Sequence, residues 1–336
     1  MKHLSSPIFL YSLTALTICV SNLAYAEEEL MTVPELEGGI SASIGTIYLN
    51  PSSDYESYFT VLHQPDGPGG STQVEVLNVT PDYEFGIDAA LGYIFTDTAN
   101  DIELSYRYLN TSDSSFDTFT DASDGNGGTI EGNTTGYLDY NLNAVDLMMG
   151  QFMNVGQHMQ MRFNAGLSYV ELKQERETIL NATGSTPNTG ELSSQTSKFS
   201  GIGPRVGIDS RYDFGQGIGI LAGGSMAYYL GELDLDVYFN PDSQSDPDSR
   251  NSYEDQLDDH AVMNFRANLA LDYVYFFNDE ERSTLGLELG YLIDYYADGI
   301  GASNIASGVM PVIFGEPAYT TAISFSGPYL NLKGIY

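Results

Sequence analysis

The stretch Tyr83–Asn110, YEFGIDAALGYIFTDTANDIELSYRYLN, decides the fold. From Tyr83 to Phe95 every second residue is apolar or aromatic, and most residues between them are small or charged. After the polar break Thr96–Asn100 the alternation resumes through Tyr108. Side chains alternate between two faces along a strand, whereas the 3.6-residue period of a helix would scatter these residues. The pattern therefore predicts an antiparallel hairpin whose strands each have one apolar and one polar face.

The first 26 residues have the layout of a secretory signal peptide. Lys2 is followed by the apolar run 8–20 and by the small-residue site Ala24-Tyr25-Ala26. A membrane-anchoring helix is the alternative, but the run is short for one. We therefore expect a signal peptide at 1–26, a periplasmic leader at 27–38 and one barrel domain at 39–336.

The chain has a single cysteine, Cys19, inside this peptide. A lipoprotein site would place a small residue before the cysteine, and here Ile18 precedes it. The mature chain is therefore expected to carry neither a lipid anchor nor a disulfide.

Charge and composition restrict the class of protein. The 46 acidic and 12 basic residues give a net charge of −34, which excludes nucleic acid as a partner because phosphate binding needs Lys and Arg. After the signal peptide, no apolar run approaches the roughly 18 residues of a spanning helix. A closed barrel crosses a bilayer with alternating strands of about 9–11 residues. The 35 Gly and 25 Tyr, with no Trp, suit such a barrel with aromatic belts.

The alternation recurs along the chain and predicts ten strands. It is blurred around Ala144–Met149 and slips near Gly327-Pro328. The predicted strands are 39–50, 83–95, 101–110, 137–152, 159–171, 199–212, 218–230, 263–277, 285–295 and 319–336.

Long and short connections alternate between these strands. Long polar loops are predicted at 51–82, 111–136, 173–197, 232–260 and 297–318, and short turns join the remaining pairs. This rhythm is typical of an all-β, transmembrane antiparallel up-and-down β-barrel with long outer loops and short periplasmic turns. A soluble β-sandwich also alternates, but it does not need every long connection at one end. Twelve strands result if segments 73–80 and 309–314 join the barrel.

Four segments carry a resemblance to a known family. They are GGISASIGTIYLNP (38–51), EFGIDAALGYIF (84–95), FSGIGPRVGIDSRY (199–212) and FSGPYLNLKGIY (325–336). With them the chain resembles the Legionella-type outer membrane proteins, which are pore-forming major outer membrane proteins and their relatives. The resemblance implies an outer-membrane barrel that conducts small solutes.

Two features depart from that family. The chain ends in Tyr336 where many such barrels end in Phe, which bears on recognition of the C-terminal strand by the barrel-assembly machinery. The mature chain also lacks the cysteines that cross-link some of these proteins.

If apolar faces meet lipid, the polar faces line the lumen. Charges in a confined interior need partners or water, so they form either a structural salt-bridge plug or an ion-selecting constriction. About eight strands enclose a filled interior, whereas 16–18 leave a channel, so ten strands predict a mostly packed interior with a narrow passage. The candidate pore-lining residues are Glu84, Asp88, Glu103, Arg107, Arg162, Arg205, Asp209, Arg211, Arg266, Asp272 and Glu288.

More than half of the 46 acidic residues fall in the five long loops. A solvated acidic surface is the simplest interpretation. Such a field also concentrates cations at the mouth, so the sequence predicts a narrow cation-preferring pore for ions or small solutes. Divalent cations could bridge the loops to lipopolysaccharide phosphates, although no spacing matches a calcium loop.

Two alternatives to a pore stay open. One is a non-conducting structural or adhesin barrel. The other is a barrel hydrolase, in which Asp258-Asp259-His260 at the outer rim could activate water; nothing in the sequence identifies its partners, so we predict no enzyme. No cofactor, metal site or catalytic residue is predicted. The expected location is the cell outer membrane, and the oligomeric state is left open.

Overall fold

A computed structural model describes residues 31–36, 38–54, 56–63, 73–123, 129–184, 189–240, 251–277, 283–302 and 319–336. Among them no helix is long and apolar enough to cross a membrane. The predicted signal peptide lies outside these residues. The strands within them are β1 (Met31–Thr32), β2 (Gly39–Ser53), β3 (Ser57–His63), β4 (Gln73–Asn78), β5 (Glu84–Ile94), β6 (Asn100–Ser123), β7 (Thr129–Val155), β8 (Met159–Gly184), β9 (Thr189–Gly215), β10 (Ile218–Asn240), β11 (Asn251–Phe276), β12 (Thr284–Ala302) and β13 (Tyr319–Ile335).

Ten of these strands close into a ring. Each strand from β7 to β13 pairs antiparallel with the next, β13 pairs with β2, and β2, β5, β6 and β7 complete the circle. This confirms the predicted antiparallel barrel. The two-residue β1 pairs with the periplasmic end of β7. The segment 73–78 forms β4, which pairs with β3 and is not one of the ring strands, and the segment 309–314 lies outside the described residues.

The chain ends meet where the ring closes. The backbone of Ile40 donates to Tyr336 at 2.8 Å and accepts from it at 3.0 Å, so the first and last barrel strands are joined at the periplasmic edge. At the same edge β9 and β10 are linked by Gln216-Gly217, both with positive φ (57° and 81°). A Cβ on Gly217 would lie 2.2 Å from the Val274 carbonyl oxygen, so only glycine fits the second position of this two-residue turn.

Exposed aromatic residues form two belts around the barrel. Tyr83 and Tyr93 lie at the two ends of the same lipid-facing row, ten residues apart. At about 3.3 Å per residue and a tilt of about 40°, that distance spans about 25 Å, the height of the apolar band of an outer-membrane barrel. The outer belt contains Tyr48, Tyr83, Tyr106, Tyr169, Tyr228 and Tyr295, and the inner belt Tyr93, Phe95, Tyr212, Phe214, Tyr273 and Tyr275.

The strands do not end at the outer belt, and here the loop predictions were wrong. Segment 111–136 is largely strand, because β6 continues to Ser123 and β7 begins at Thr129. Segments 173–197 and 232–260 are likewise mostly the continuations of β8, β9, β10 and β11. We call the described residues within 109–143, 170–200, 231–261 and 296–325 the extracellular extension.

The extension has a dry apolar core inside the ring. Its outward residues meet water and are polar, as in Asp139, Asn141 and Asn143 of β7, whereas the alternate residues Leu138 and Leu142 are fully buried. Ile47, Leu49 and Tyr229 of the barrel pack into the same cluster. Its large side chains from the extension with less than 2 % exposure are Tyr140, Tyr296, Phe199, Phe325, Leu109, Leu138, Leu142, Leu172 and Leu233. Water on the outside thus reverses the polarity of both faces relative to the membrane-spanning part.

Candidate functional site in the barrel interior

Charged side chains meet in one layer across the middle of the barrel. The carboxylate of Asp294 on β12 is fully buried and accepts from two arginines. Arg266 Nη2 lies 3.0 Å and Arg107 Nη1 3.2 Å from Asp294 Oδ2. Asn264 Nδ2 donates to Asp294 Oδ1 at 2.6 Å, and Arg107 Nη2 also pairs with Asp88 at 2.7 Å. The carboxylate therefore has partners on both oxygens.

A second carboxylate, Asp146 on β7, completes this layer. Arg266 Nη1 lies 3.1 Å from Asp146 Oδ2, and Arg205 Nε lies 3.2 Å from Asp146 Oδ1. Ser168 donates to Asp146 as well. Arg205 is only 2 % exposed and donates to Tyr229 at 2.7 Å. We call Asp88, Asp146, Asp294, Arg107, Arg205 and Arg266 the central layer.

These bonds cross the interior. Three ring strands separate β6, which carries Arg107, from β12, which carries Asp294. Three strands also separate β11 from β7, which are joined by Arg266 and Asp146. Three arginines and three aspartates balance in charge, so the layer is a neutral network that crosses the barrel at this height, beside a cavity of about 160 Å³ that Asp88, Arg107 and Arg266 line. Such a network tolerates burial because each charge is paired and hydrogen-bonded.

Below the central layer a cavity of about 530 Å³ reaches the periplasmic end of the barrel. The cavity is wide because several of the inward residues that line it are small, among them Ser43, Ala90, Gly92 and Gly223. We call this cavity the vestibule. Its charged lining residues are Asp101, Glu103, Asp209, Asp272, Glu288, Arg162, Arg211 and Lys333.

Each basic group of the vestibule is paired with a carboxylate. Arg162 Nη2 lies 2.7 Å from Asp101 Oδ2 and its Nη1 lies 3.3 Å from Asp209. Arg211 Nε lies 2.9 Å from Asp272 Oδ2. Lys333 pairs with Glu288, which is itself 5 % exposed. These pairs lie along the walls rather than across the centre, so the vestibule stays open.

Above the central layer the interior is closed by the apolar core and by β3. Strand β3 packs inside the extension, where Arg176 donates to the Ser57 carbonyl at 2.8 Å and Thr178 to the Tyr58 carbonyl at 3.1 Å. Tyr58 is 4 % exposed, and its hydroxyl donates to Asp117 at 2.6 Å. Burial, and then this hydrogen bond to Asp117, raise the pKa of the Tyr58 hydroxyl. The hydroxyl therefore stays protonated and bonded at neutral pH.

The structure distributes the predicted site residues over two places. Asp88, Arg107, Arg205 and Arg266 lie in the central layer. Glu84, by contrast, lies exposed at the outer end of β5 and belongs to neither group. The residues of the prediction that line the vestibule are Glu103, Arg162, Asp209, Arg211, Asp272 and Glu288.

Four charged residues of these two groups were missed by the sequence prediction. Asp146 lies in the blurred part of β7, where the apolar residues change faces. Asp294 lies on the polar face of β12 and could have been included from its alternation alone. Asp101 and Lys333 stand near strand ends, where register is least certain from sequence. Only the strand register brings Asp294 to Arg107 across the ring.

The rim around His260 offers no sign of a hydrolytic pair in the described residues. His260 Nε2 hydrogen-bonds the backbone carbonyl of Asp298 at 2.8 Å rather than a carboxylate. Its ring packs against Phe199, with centroids 5.9 Å apart. In the described part of the chain, no group of three or more His, Cys, Asp or Glu is arranged to hold a metal ion.

Comparison with known proteins gives one family and several distant structures. The family model described as Legionella pneumophila major outer membrane protein precursor matches residues 32–335. The outer membrane protease OmpT from Escherichia coli is 12% identical, with a TM-score of 0.44 over 91% of this chain and 99% of that one. A Pseudomonas aeruginosa FadL homologue is 9% identical, with a TM-score of 0.27 over 89% and 90%. Neither of these two structural likenesses is close enough to carry an argument, and no curated protein matches.

Proposed function

This chain belongs to the family of the Legionella pneumophila major outer membrane protein precursor, and from that premise we propose that it is a barrel closed at rest. As a member of that family it is an outer-membrane β-barrel, located in the cell outer membrane. In our proposal it serves as a structural barrel that holds a folded acidic extension at the cell surface. It does not conduct in its resting state.

One observation carries this proposal, namely that side chains fill the interior from the central layer outward. The central layer crosses the ring with paired charges, and above it Leu109, Leu142 and Leu172 have at most 1 % of their surface exposed. Opening a path would expose many apolar side chains to water, at about 25 cal/mol for each Å². It would also separate buried ion pairs, which costs several kcal/mol per uncompensated charge. Both costs favour the closed state.

Planar-bilayer recording of the refolded full barrel tests the proposal. We expect a flat baseline at 100 mV in 0.1 M KCl, with no lasting conductance steps. A second barrel of known conductance, reconstituted in the same way, controls for insertion. Steady, discrete steps from most inserted molecules would contradict the proposal.

A second candidate function, a gated cation-preferring pore, is favoured by the vestibule. The five carboxylates of the vestibule exceed its three basic groups, Arg162, Arg211 and Lys333, and the vestibule ends at the side chains of the central layer. If the layer opens, cations are expected to pass more readily than anions at low salt. That preference should fade near 1 M salt, where the Debye length is about 3 Å.

The same recordings decide between the two candidates. Brief openings with a reversal potential on the cation side at low salt would support the gated pore. Anion preference at low salt would contradict the gated cation-preferring pore. Among the described residues, His260 hydrogen-bonds a backbone carbonyl oxygen rather than a carboxylate, so we do not propose a hydrolase.

A further inference from the structure

The charges of the vestibule are not balanced. Five carboxylates, against Arg162, Arg211 and Lys333, leave two negative charges in a cavity of about 530 Å³. Glu103 is the least well paired, because its contact with Arg162 Nη1 is long at 3.9 Å. About a third of the Glu103 side chain is exposed (36%), so it can still take a ligand.

A buried acceptor in the same wall lacks a donor. The Asp272 side chain is 5 % exposed and its Oδ2 accepts from Arg211. Its Oδ1 is buried, and among the described residues no donor bonds to it. Next to the vestibule, Asn331 Oδ1 lines a smaller cavity of about 160 Å³ and likewise has no donor from the described part of the chain. Leaving a buried acceptor without a donor is unfavourable, so these atoms favour a ligand that donates.

Apolar side chains lie between the charged ones. Phe152, Leu221 and Val274 line the vestibule together with the carboxylates. A wall that offers separated acceptors with apolar surface between them fits a flexible alkyl chain carrying several ammonium groups. A metal ion fits poorly, since no group of three metal-ligating side chains was found among the described residues.

We propose that the vestibule binds an alkyl polyamine from the periplasmic side. The ammonium groups bond Glu103, Asp209 and the free oxygen of Asp272, and the methylene segments cover Leu221 and Val274. An inorganic anion is disfavoured, because Arg162, Arg211 and Lys333 are already engaged with carboxylates. The site lies below the central layer, so it goes beyond the proposed closed barrel and holds whether or not the layer opens.

Calorimetric titration of the detergent-solubilised full barrel with spermidine tests the proposal. We expect one saturable site at 0.1 M NaCl. Glu103→Gln should weaken spermidine binding at least about tenfold, because it removes the carboxylate with the weakest internal partner. Butylamine, which carries a single ammonium group, should bind at least about tenfold more weakly than spermidine.

The matched control is Asp236→Asn, which removes one exposed carboxylate from the outer face of β10. It should leave spermidine binding unchanged. The shift of the folded barrel in unheated gel electrophoresis verifies that each variant is folded. Asp272→Asn is a second variant, and it should also weaken binding.

Three results would overturn the proposal. One is the absence of saturable binding to the wild-type chain. Another is an equal loss of affinity in Asp236→Asn and Glu103→Gln, which would indicate diffuse attraction to the acidic extension. The third is saturable binding of inorganic phosphate in place of spermidine, because it would assign the vestibule to anions.

Discussion

Strand β7 passes through two environments, and its two halves use opposite rules. In the membrane-spanning half, Leu147 and Met149 face outward while Asp146 faces the interior. In the extension, Asn143 faces outward while Leu142 is fully buried inside. The alternation of faces continues without a break, and only the polarity of each face changes. The medium outside the wall therefore decides which face is apolar.

This difference explains why one barrel is wet below and dry above. Where lipid surrounds the barrel, the apolar residues lie on the outer face, and charged and small residues lie in the interior. Where water covers the outside, the interior is the only place to bury apolar area, and a core forms there. The central layer lies between the two regions. It contains charged side chains, which would be unfavourable against lipid or within the apolar core.

The largest effect is expected in the core of the extension. Phe199→Ala should lower the free energy of unfolding by about 3–5 kcal/mol, because a fully buried ring is lost and a cavity remains. The neighbouring Ser200 points outward to water, so Ser200→Ala should change it by less than about 0.5 kcal/mol. Urea unfolding in lipid vesicles measures both values. A similar small loss for Phe199→Ala would mean that the core is not tightly packed.

A loss of similar size is expected in the central layer. Asp294→Ala leaves Arg107 and Arg266 without their shared carboxylate and should cost about 3–5 kcal/mol. Asp236→Ala, at an exposed site, should cost less than about 0.5 kcal/mol. The same urea titration compares them. If Asp294→Ala left the free energy of unfolding unchanged, water rather than ion pairs would occupy the interior at the level of the central layer.

Outward lysines on β7 sharpen the comparison of the two halves. Leu147→Lys places a charge against lipid and should cost about 2–4 kcal/mol near the bilayer centre. Asn143→Lys, four residues away on the same face, meets water and should be nearly neutral. Folding yields in vesicles and urea titrations measure the difference. Equal costs would place the outer boundary of the membrane elsewhere.

The smallest effect is expected at the outer surface of the extension. Lys198 Nζ lies 3.0 Å from Glu171 Oε2, and this hydrogen bond raises the pKa of the Lys198 ammonium. A raised pKa means that the pair stabilises the fold below the unfolded pKa and stops doing so as the pH rises through the folded value. Lys198→Ala should cost about 0.2–1 kcal/mol at pH 7, and less in 1 M salt. An increase of that cost with pH would contradict this assignment.

Much of the membrane-spanning half could be predicted from sequence. Ten-residue alternations and short turns determine the strand count, as at Thr96–Asn100 and Asp213–Gly217. The extension could not be predicted in the same way, because its outward faces are polar and its sequence is rich in Asp, Ser and Thr. One signal was present: alternation blurs near Ala144–Met149 and slips at Gly327-Pro328, where the apolar residues change faces.

The interior site was harder to predict than the wall. Alternation placed Arg107 and Arg266 on the inner face, but it gives no distance across a ring. Their shared partner Asp294 follows from the register of β11, β12 and β13 and from closure with β2. The vestibule was likewise hidden, because it depends on small inward residues such as Gly92 and Gly223 on different strands.

Cysteine labelling tests most directly the claim that the interior is wet below the central layer and dry above it. A chain that begins at Glu27 has no cysteine, so single thiols can be placed at Ser43 in the vestibule and at Thr111 in the extension, where Thr111 is 1 % exposed. With a charged maleimide added to the folded barrel, we predict rapid labelling of Ser43→Cys and none of Thr111→Cys until urea unfolds the chain. Rapid labelling of Thr111→Cys in the folded barrel would contradict the account.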